Sequence, residues 1–146
     1  MLTEENYCDY DTCVALKELG FSEPTLAYYH GFLPSKPLMY LVIDEDCIPE
    51  DGVNVFDLLS NSNKYKDSKN IDAPTLWEAQ KWLRKEKKIE VLALSKGMVG
   101  APYDAQVYTE DYVIQQGIEY NSYEEALLEG IKKAVKILEE DGPIEI

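Results

Sequence analysis

A chain of 146 residues with 45% hydrophobic and 29% charged content is long enough to bury a core and ordinary for a globular protein. No run approaches the ~18–20 apolar residues of a membrane span, and Met1–Glu5 lacks the basic segment and apolar core of a secretory signal, so a cytoplasmic address is expected. The net charge of −14 disfavours non-specific nucleic-acid binding by the surface as a whole. The charge is segregated: residues 1–60 carry 2 basic and 12 acidic groups, residues 61–100 carry 9 and 5, and residues 101–146 carry 3 and 11. A basic middle therefore lies between acidic flanks.

The first helix is expected to begin near Asp9 or Asp11, either of which can cap it, and to run through Val14, Leu16 and Leu19. Gly20 suits a left-handed position just past its end, and Phe21 can then fold back onto Leu16. Thr25–Phe32 and Leu38–Ile43 are β-rich runs separated by Pro34-Ser35-Lys36-Pro37, the pattern of a hairpin with a loop. A long polar connection follows at about 44–73, in which only Val53–Leu59 has apolar character. Its composition leaves Ser60–Asn70 to run over the surface with few internal contacts, too little apolar area offsetting about 1–2 kcal/mol of backbone entropy per ordered residue.

The second and third helices have the best-marked starts. Thr75-Leu76-Trp77-Glu78 and Ser122-Tyr123-Glu124-Glu125 each place a hydroxyl three residues before a carboxylate, so that each side chain can satisfy the other's backbone amide. The second helix is expected to run to about Lys88 and the third to about Glu140, where Asp141-Gly142-Pro143 stops it. Between them, Glu90–Ser95, Tyr103–Thr109 and Tyr112–Gln116 read as strands, the last two joined by Glu110-Asp111. In the third helix Ala126, Leu127, Gly130, Ile131, Ala134, Val135 and Leu138 form one apolar stripe. Gly130 costs about 1 kcal/mol relative to Ala in a helix interior, and its place on that stripe predicts close approach to the sheet. The whole reads as one α+β domain spanning 1–146, of order α-β-β-α-β-β-β-α. It comprises a mainly antiparallel sheet of about five strands with helices packed on one face.

Chemistry-bearing residues are sparse. Cys8, Cys13 and Cys47 include no CxxC, and His30 is the only histidine, so no zinc-ligand spacing is recognisable and the thiols are expected to be reduced and structural. The acidic loop Asp44–Gly52 suggests calcium, but Ile48 and Pro49 stand where an EF-hand loop needs an oxygen ligand and a glycine. His30 lies in a Tyr-Tyr-His-Gly strand without a triad around it, and neither GxGxxG nor GxxxxGK[ST] occurs. The sequence thus gives no catalytic residue, no metal site and no cofactor, and leans away from an enzyme.

One constellation is sharper. At 100° per residue, Leu76, Ala79, Trp82 and Leu83 form the inner stripe of the second helix, whereas Trp77, Lys81, Arg84, Lys85 and Lys88 share another face. An aromatic ringed by cations can anchor an acidic protein partner, or stack on a base while the charges meet phosphate; a plain solvated face is the alternative. Eleven tyrosines, many of them in the strands (Tyr28, Tyr29, Tyr40, Tyr103, Tyr108, Tyr112), suit either a recognition surface or a half-covered sheet. The acidic flanks admit a further reading, DNA mimicry, which requires carboxylates in a regular double row.

The segments Ala73-Pro74-Thr75-Leu76-Trp77-Glu78-Ala79-Gln80-Lys81-Trp82-Leu83-Arg84 and Tyr120-Asn121-Ser122-Tyr123-Glu124-Glu125-Ala126-Leu127 together resemble a group of small uncharacterised proteins encoded by gut Bacteroides-type bacteria and their phages or prophages. The resemblance covers the chain from about residue 73. It implies a bacterial or phage-derived cytoplasmic protein and assigns no activity to any residue. The function expected from the sequence is therefore protein–protein contact by a non-enzymatic accessory protein of mobile-element origin, with nucleic-acid binding through the second helix as the alternative.

Overall fold

The computed structural model describes residues 4–30, 38–41, 70–97, 102–111, 113–115 and 119–141. The chain divides into two compact units, one made of residues 9–74 and the other of residues 1–8 with 75–146. The architecture is α+β with antiparallel strand pairing throughout, and the six described strands fall into two three-stranded sheets.

In the unit of residues 9–74, helix α1 (Tyr10–Glu18) starts at Asp9, whose Oδ1 accepts from Thr12 N–H at 2.9 Å. It ends as its sequence requires. Gly20 takes φ +105°, and its N–H donates to the Lys17 carbonyl at 3.0 Å while Phe21 N–H donates to that of Leu16 at 2.9 Å. These two bonds occupy carbonyls that the helix end would leave unsatisfied, and Phe21 and Leu16 are both buried. Strands β1 (Ala27–His30) and β2 (Leu38–Leu41) form the expected antiparallel pair, with His30 opposite Leu38.

The other side of β1 corrects the sequence reading. Residues 70–73, assigned to the end of the polar connection, form a strand, β3 (Asn70–Ala73), antiparallel to β1 with Ala73 opposite Ala27 and Asn70 opposite His30. Helix α1 packs on β3, and Ile71, Asp72 and Ala73 are all buried. Asn and Asp are poor strand formers in isolation, so this strand owes its form to its partner. Residues 42–69, including Val53–Leu59, Cys47 and the acidic loop, lie outside the described residues.

In the unit of residues 1–8 with 75–146, helix α2 spans Leu76–Glu86 and helix α3 spans Tyr123–Asp141. Between them, β4 (Glu90–Ser95), β5 (Tyr103–Tyr108) and β6 (Val113–Gln115) make a meander in the order β4-β5-β6. The register pairs Val91 with Val107, Ala93 with Ala105 and Ser95 with Tyr103, so one sheet face carries Val91, Ala93, Ala105 and Val107. Helix α3 packs on β4 and β5, and α2 packs on β4 and α3.

Gly130 explains how closely α3 approaches. A Cβ built there would lie 2.6 Å from Val91 Cγ1 and 3.5 Å from Ala105 Cβ. The propensity lost at this glycine is thus exchanged for direct backbone contact with the sheet. Ala126, Leu127, Ile131, Ala134 and Val135 are buried as expected; toward the end of the stripe Ile137 is buried, whereas Leu138 is only half-buried. Tyr103 and Tyr120 exchange backbone hydrogen bonds of 2.9 and 2.8 Å, tying the entry of α3 to β5, and the Tyr103 and Tyr123 rings meet edge to face at 6.1 Å.

Candidate functional site

Helix α2 is positioned by its cap. Thr75 Oγ1 accepts from Glu78 N–H at 3.1 Å and Glu78 Oε1 accepts from Thr75 N–H at 2.9 Å, both arms of the expected box. At α3 the corresponding hydroxyl arm is present, Ser122 Oγ accepting from Glu125 N–H at 3.1 Å. The inner stripe of α2, Leu76, Ala79, Trp82 and Leu83, is buried. Gln80 Nε2 adds a hydrogen bond of 2.6 Å to the Val91 carbonyl, holding the helix to strand β4.

The outer face follows the expected pattern for four of its five residues. Trp77 is 40% exposed, and Lys81, Arg84 and Lys85 are exposed beside it. Lys88 is also exposed but lies past the end of the helix. The helix ends at Glu86, and Lys88 adopts the left-handed conformation (φ 58°), folding back so that its Nζ donates to the Lys85 carbonyl at 3.2 Å. The early stop has a packing cause: the turn brings Ile89 into a buried position, where its N–H reaches the Leu83 carbonyl at 3.1 Å.

The electrostatics of the face are mixed. Arg84 is paired with Glu90 on β4, and its guanidinium pKa is raised first by that hydrogen bond and then by the carboxylate's charge. Glu78 and Glu86 are also exposed on α2. Arg84 is therefore balanced by Glu90, while Lys81 and Lys85 share the helix with two exposed carboxylates. Lys87, which sequence reasoning passed over, lies with its Nζ 5.5 Å from the centre of the Trp82 ring. Just beyond it, Lys87, Lys88 and Ile89 border an open cleft of about 340 Å³ whose other walls are Thr109–Asp111 and Ile137–Leu138.

Elsewhere in this unit two phenols are displaced from their ordinary pKa of 10.0. Burial pushes Tyr7 up, helped by the charge of Glu78. Burial also raises Tyr120, with Glu129, Asp104 and Glu125 adding to it and Lys132 opposing. Cys8, and Cys13 in the unit of residues 9–74, are buried and not in a disulfide. Among the described residues, no group of three or more His, Cys, Asp or Glu side chains is arranged to hold a metal ion, and no helix is long and apolar enough to cross a membrane. Of the strand tyrosines, Tyr28, Tyr29, Tyr103 and Tyr108 are half-buried, and Tyr29 meets Tyr10 edge to face at 5.6 Å.

No family model matches the chain, and no curated protein or solved structure matches it.

Proposed function

We propose that this protein is a non-enzymatic interaction protein, an accessory product of bacterial mobile-element origin, that docks a protein partner through the outer face of α2. The observation that carries the reading is Trp77, a large aromatic left 40% exposed on a helix whose opposite face is fully packed. Exposed tryptophans with an arginine nearby make effective interface anchors, because they bury much area at little entropic cost inside a polar rim. Lys81, Arg84 and Lys85 supply that rim.

A protein partner fits this face better than nucleic acid. Glu78, Glu86 and Glu90 lie among the cations, Arg84 is already engaged by Glu90, and the net charge of −14 repels phosphate at long range. DNA mimicry draws little support from α3, where Lys132 pairs with Glu129 at 3.4 Å and Lys136 with Glu140 at 4.0 Å, a mixed rather than uniformly acidic surface.

The test compares wild type with Trp77→Ala and Lys81→Glu/Lys85→Glu as bait in the native host. One protein retained by wild type and lost by Trp77→Ala, with affinity falling by about 2 kcal/mol or more, is the expected result. Retention of the same proteins by all three baits would overturn the assignment of α2. Binding to single- or double-stranded nucleic acid that steepens at low salt and disappears in Lys81→Glu/Arg84→Glu would transfer the function to nucleic-acid recognition.

A further inference from the structure

We propose that the outer edge of β4 is a self-association site at which two copies of this chain join antiparallel through Ala93–Ser95, making one continuous six-stranded sheet.

The directions of the β4 main-chain groups are fixed by two independent contacts. The Val91 carbonyl accepts from Gln80 on α2, so the polar groups of Val91 point away from β5. On β5, the polar groups of Tyr103 bond Tyr120 and therefore point away from β4, and Tyr103 is the register partner of Ser95. The two agree with the strict alternation of an antiparallel ladder. Glu90, Leu92 and Leu94 consequently bond β5, whereas Val91, Ala93 and Ser95 direct their N–H and C=O groups off the open edge. Among the described residues no strand pairs with that edge.

Exposed edges of this kind are normally blunted by a proline, a bulge or an inward charge. Val91–Ser95 has none of these three, being Val-Leu-Ala-Leu-Ser in unbroken register with β5; the other usual device, a covering helix, reaches this edge at Val91, where α2 places Gln80. Only its first carbonyl is plugged, by Gln80. From Leu94 to Gly97 the chain is exposed, and Leu94 is 41% exposed on the sheet face opposite α3.

The plug selects the register. Pairing about a two-fold axis at Leu94 sets Ala93 opposite Ser95 of the second copy and Ser95 opposite its Ala93, and it leaves the bond between Gln80 and Val91 intact. All the edge groups of Ala93 and Ser95 are then satisfied. The two Leu94 side chains face each other as a non-hydrogen-bonded pair, about 4.5–5.5 Å apart at Cβ, and cover one another's exposed surface. Lys96 and Glu90, which lie diagonally across from each other in this register, are already engaged by Glu119 and Arg84 within each copy, so the fit rests on the ladder bonds and on Leu94. This self-complementarity is the reason to name a second copy, rather than a foreign strand, as the occupant.

Sedimentation of the full chain tests the proposal. A monomer–dimer equilibrium is expected, with the dimer gaining as salt rises from about 0.01 to about 0.1 M, since screening then shortens from about 30 to about 10 Å and relieves repulsion between two strongly acidic copies. Leu94→Lys places like charges opposite each other and should weaken the dimer roughly tenfold, with circular dichroism unchanged and with melting unchanged at concentrations low enough for wild type to be monomeric. Leu94→Cys, in a Cys47→Ser background, should form an intermolecular disulfide readily, because opposed residues in such pairs fall within bonding range. Val113→Cys, a more exposed position at 57%, is the control and should cross-link more slowly. A chain that stays monomeric at the higher salt, a dimer indifferent to Leu94→Lys, or equal cross-linking at positions 94 and 113 would each overturn the site.

Discussion

The two sheets have the same number of strands and the same antiparallel pairing, yet they are assembled in opposite ways. In the β4-β5-β6 sheet each strand pairs with its neighbour in sequence, and the inward positions alternate with outward ones through Val91, Ala93, Ala105 and Val107. In the β2-β1-β3 sheet the central strand comes first, and its second partner, Asn70–Ala73, arrives long after Leu41. That third strand carries a fully buried aspartate, Asp72, and takes its extended form from pairing with β1 and packing under α1. Local pattern specifies the first sheet; a non-local partner specifies one strand of the second, at the larger loop-closure cost that such pairing entails.

The comparison breaks most strongly at the helices that cover each sheet. Leu127 on α3 and Leu16 on α1 are both fully buried. Truncation of either to Ala is expected to cost about 2–5 kcal/mol, the transfer free energy plus the cavity left behind. The two losses should be read at different amides. Leu16→Ala is expected to accelerate hydrogen exchange at Ile71–Ala73, because β3 depends on α1, whereas Leu127→Ala should do so at Val91 and Val107. Unchanged protection of Ile71–Ala73 in Leu16→Ala would show that β3 is held by β1 alone.

A smaller effect sharpens the account of the β4-β5-β6 sheet. Gly130→Ala raises intrinsic helix propensity by about 1 kcal/mol, yet the new methyl meets Val91 Cγ1 at 2.6 Å. Val91 is fully buried and its neighbours leave it little room, so overpacking of about 1–3 kcal/mol is expected to outweigh the gain. The net change in a denaturant melt should be destabilising. A stabilised Gly130→Ala would mean that α3 can lift from the sheet without loss.

The same contrast accounts for what the sequence made legible. The ending of α1 at Gly20, the cap at Thr75, strand Glu90–Ser95 and the role of Gly130 each rest on signals within a few residues of the feature, and each is found in the structure. Strand β3 has no such signal: Asn70-Ile71-Asp72-Ala73 reads as polar connection until β1 is placed beside it. At the candidate site the helical period alone ranked Trp77, Lys81, Arg84 and Lys85 as outward-facing. It could not show that Lys88 lies past the helix end, because a wheel carries no information about where the helix stops; the turn that buries Ile89 sets that. The pairing of Arg84 with Glu90 and the position of Lys87 over Trp82 were likewise invisible, since both depend on how the chain turns after Glu86.

The smallest expected effect is confined to alkaline solution and to the unit that contains both shifted phenols. Tyr7 and Tyr120 have folded-state pKa values above the ordinary 10.0, in each case chiefly because burial penalises the phenolate, with carboxylates (Glu78 for Tyr7; Glu129, Asp104 and Glu125 for Tyr120) adding repulsion. The unfolded chain therefore releases these protons at lower pH than the folded one. Above a pH of about 10 the folded state holds more protons than the unfolded state, and stability falls with rising pH. Below that point the contribution is fully present and no dependence on these groups is expected. Melting temperature followed from about pH 8 to about pH 11 should be flat and then decline, the decline being shallower in Tyr120→Phe, which removes the titrating hydroxyl while keeping the ring. Tyr7→Phe should act in the same direction. If neither variant alters the alkaline slope, the desolvation of these two phenols is not what links the fold to pH, and the entry of α3 at Tyr120 is more open to water than its burial indicates.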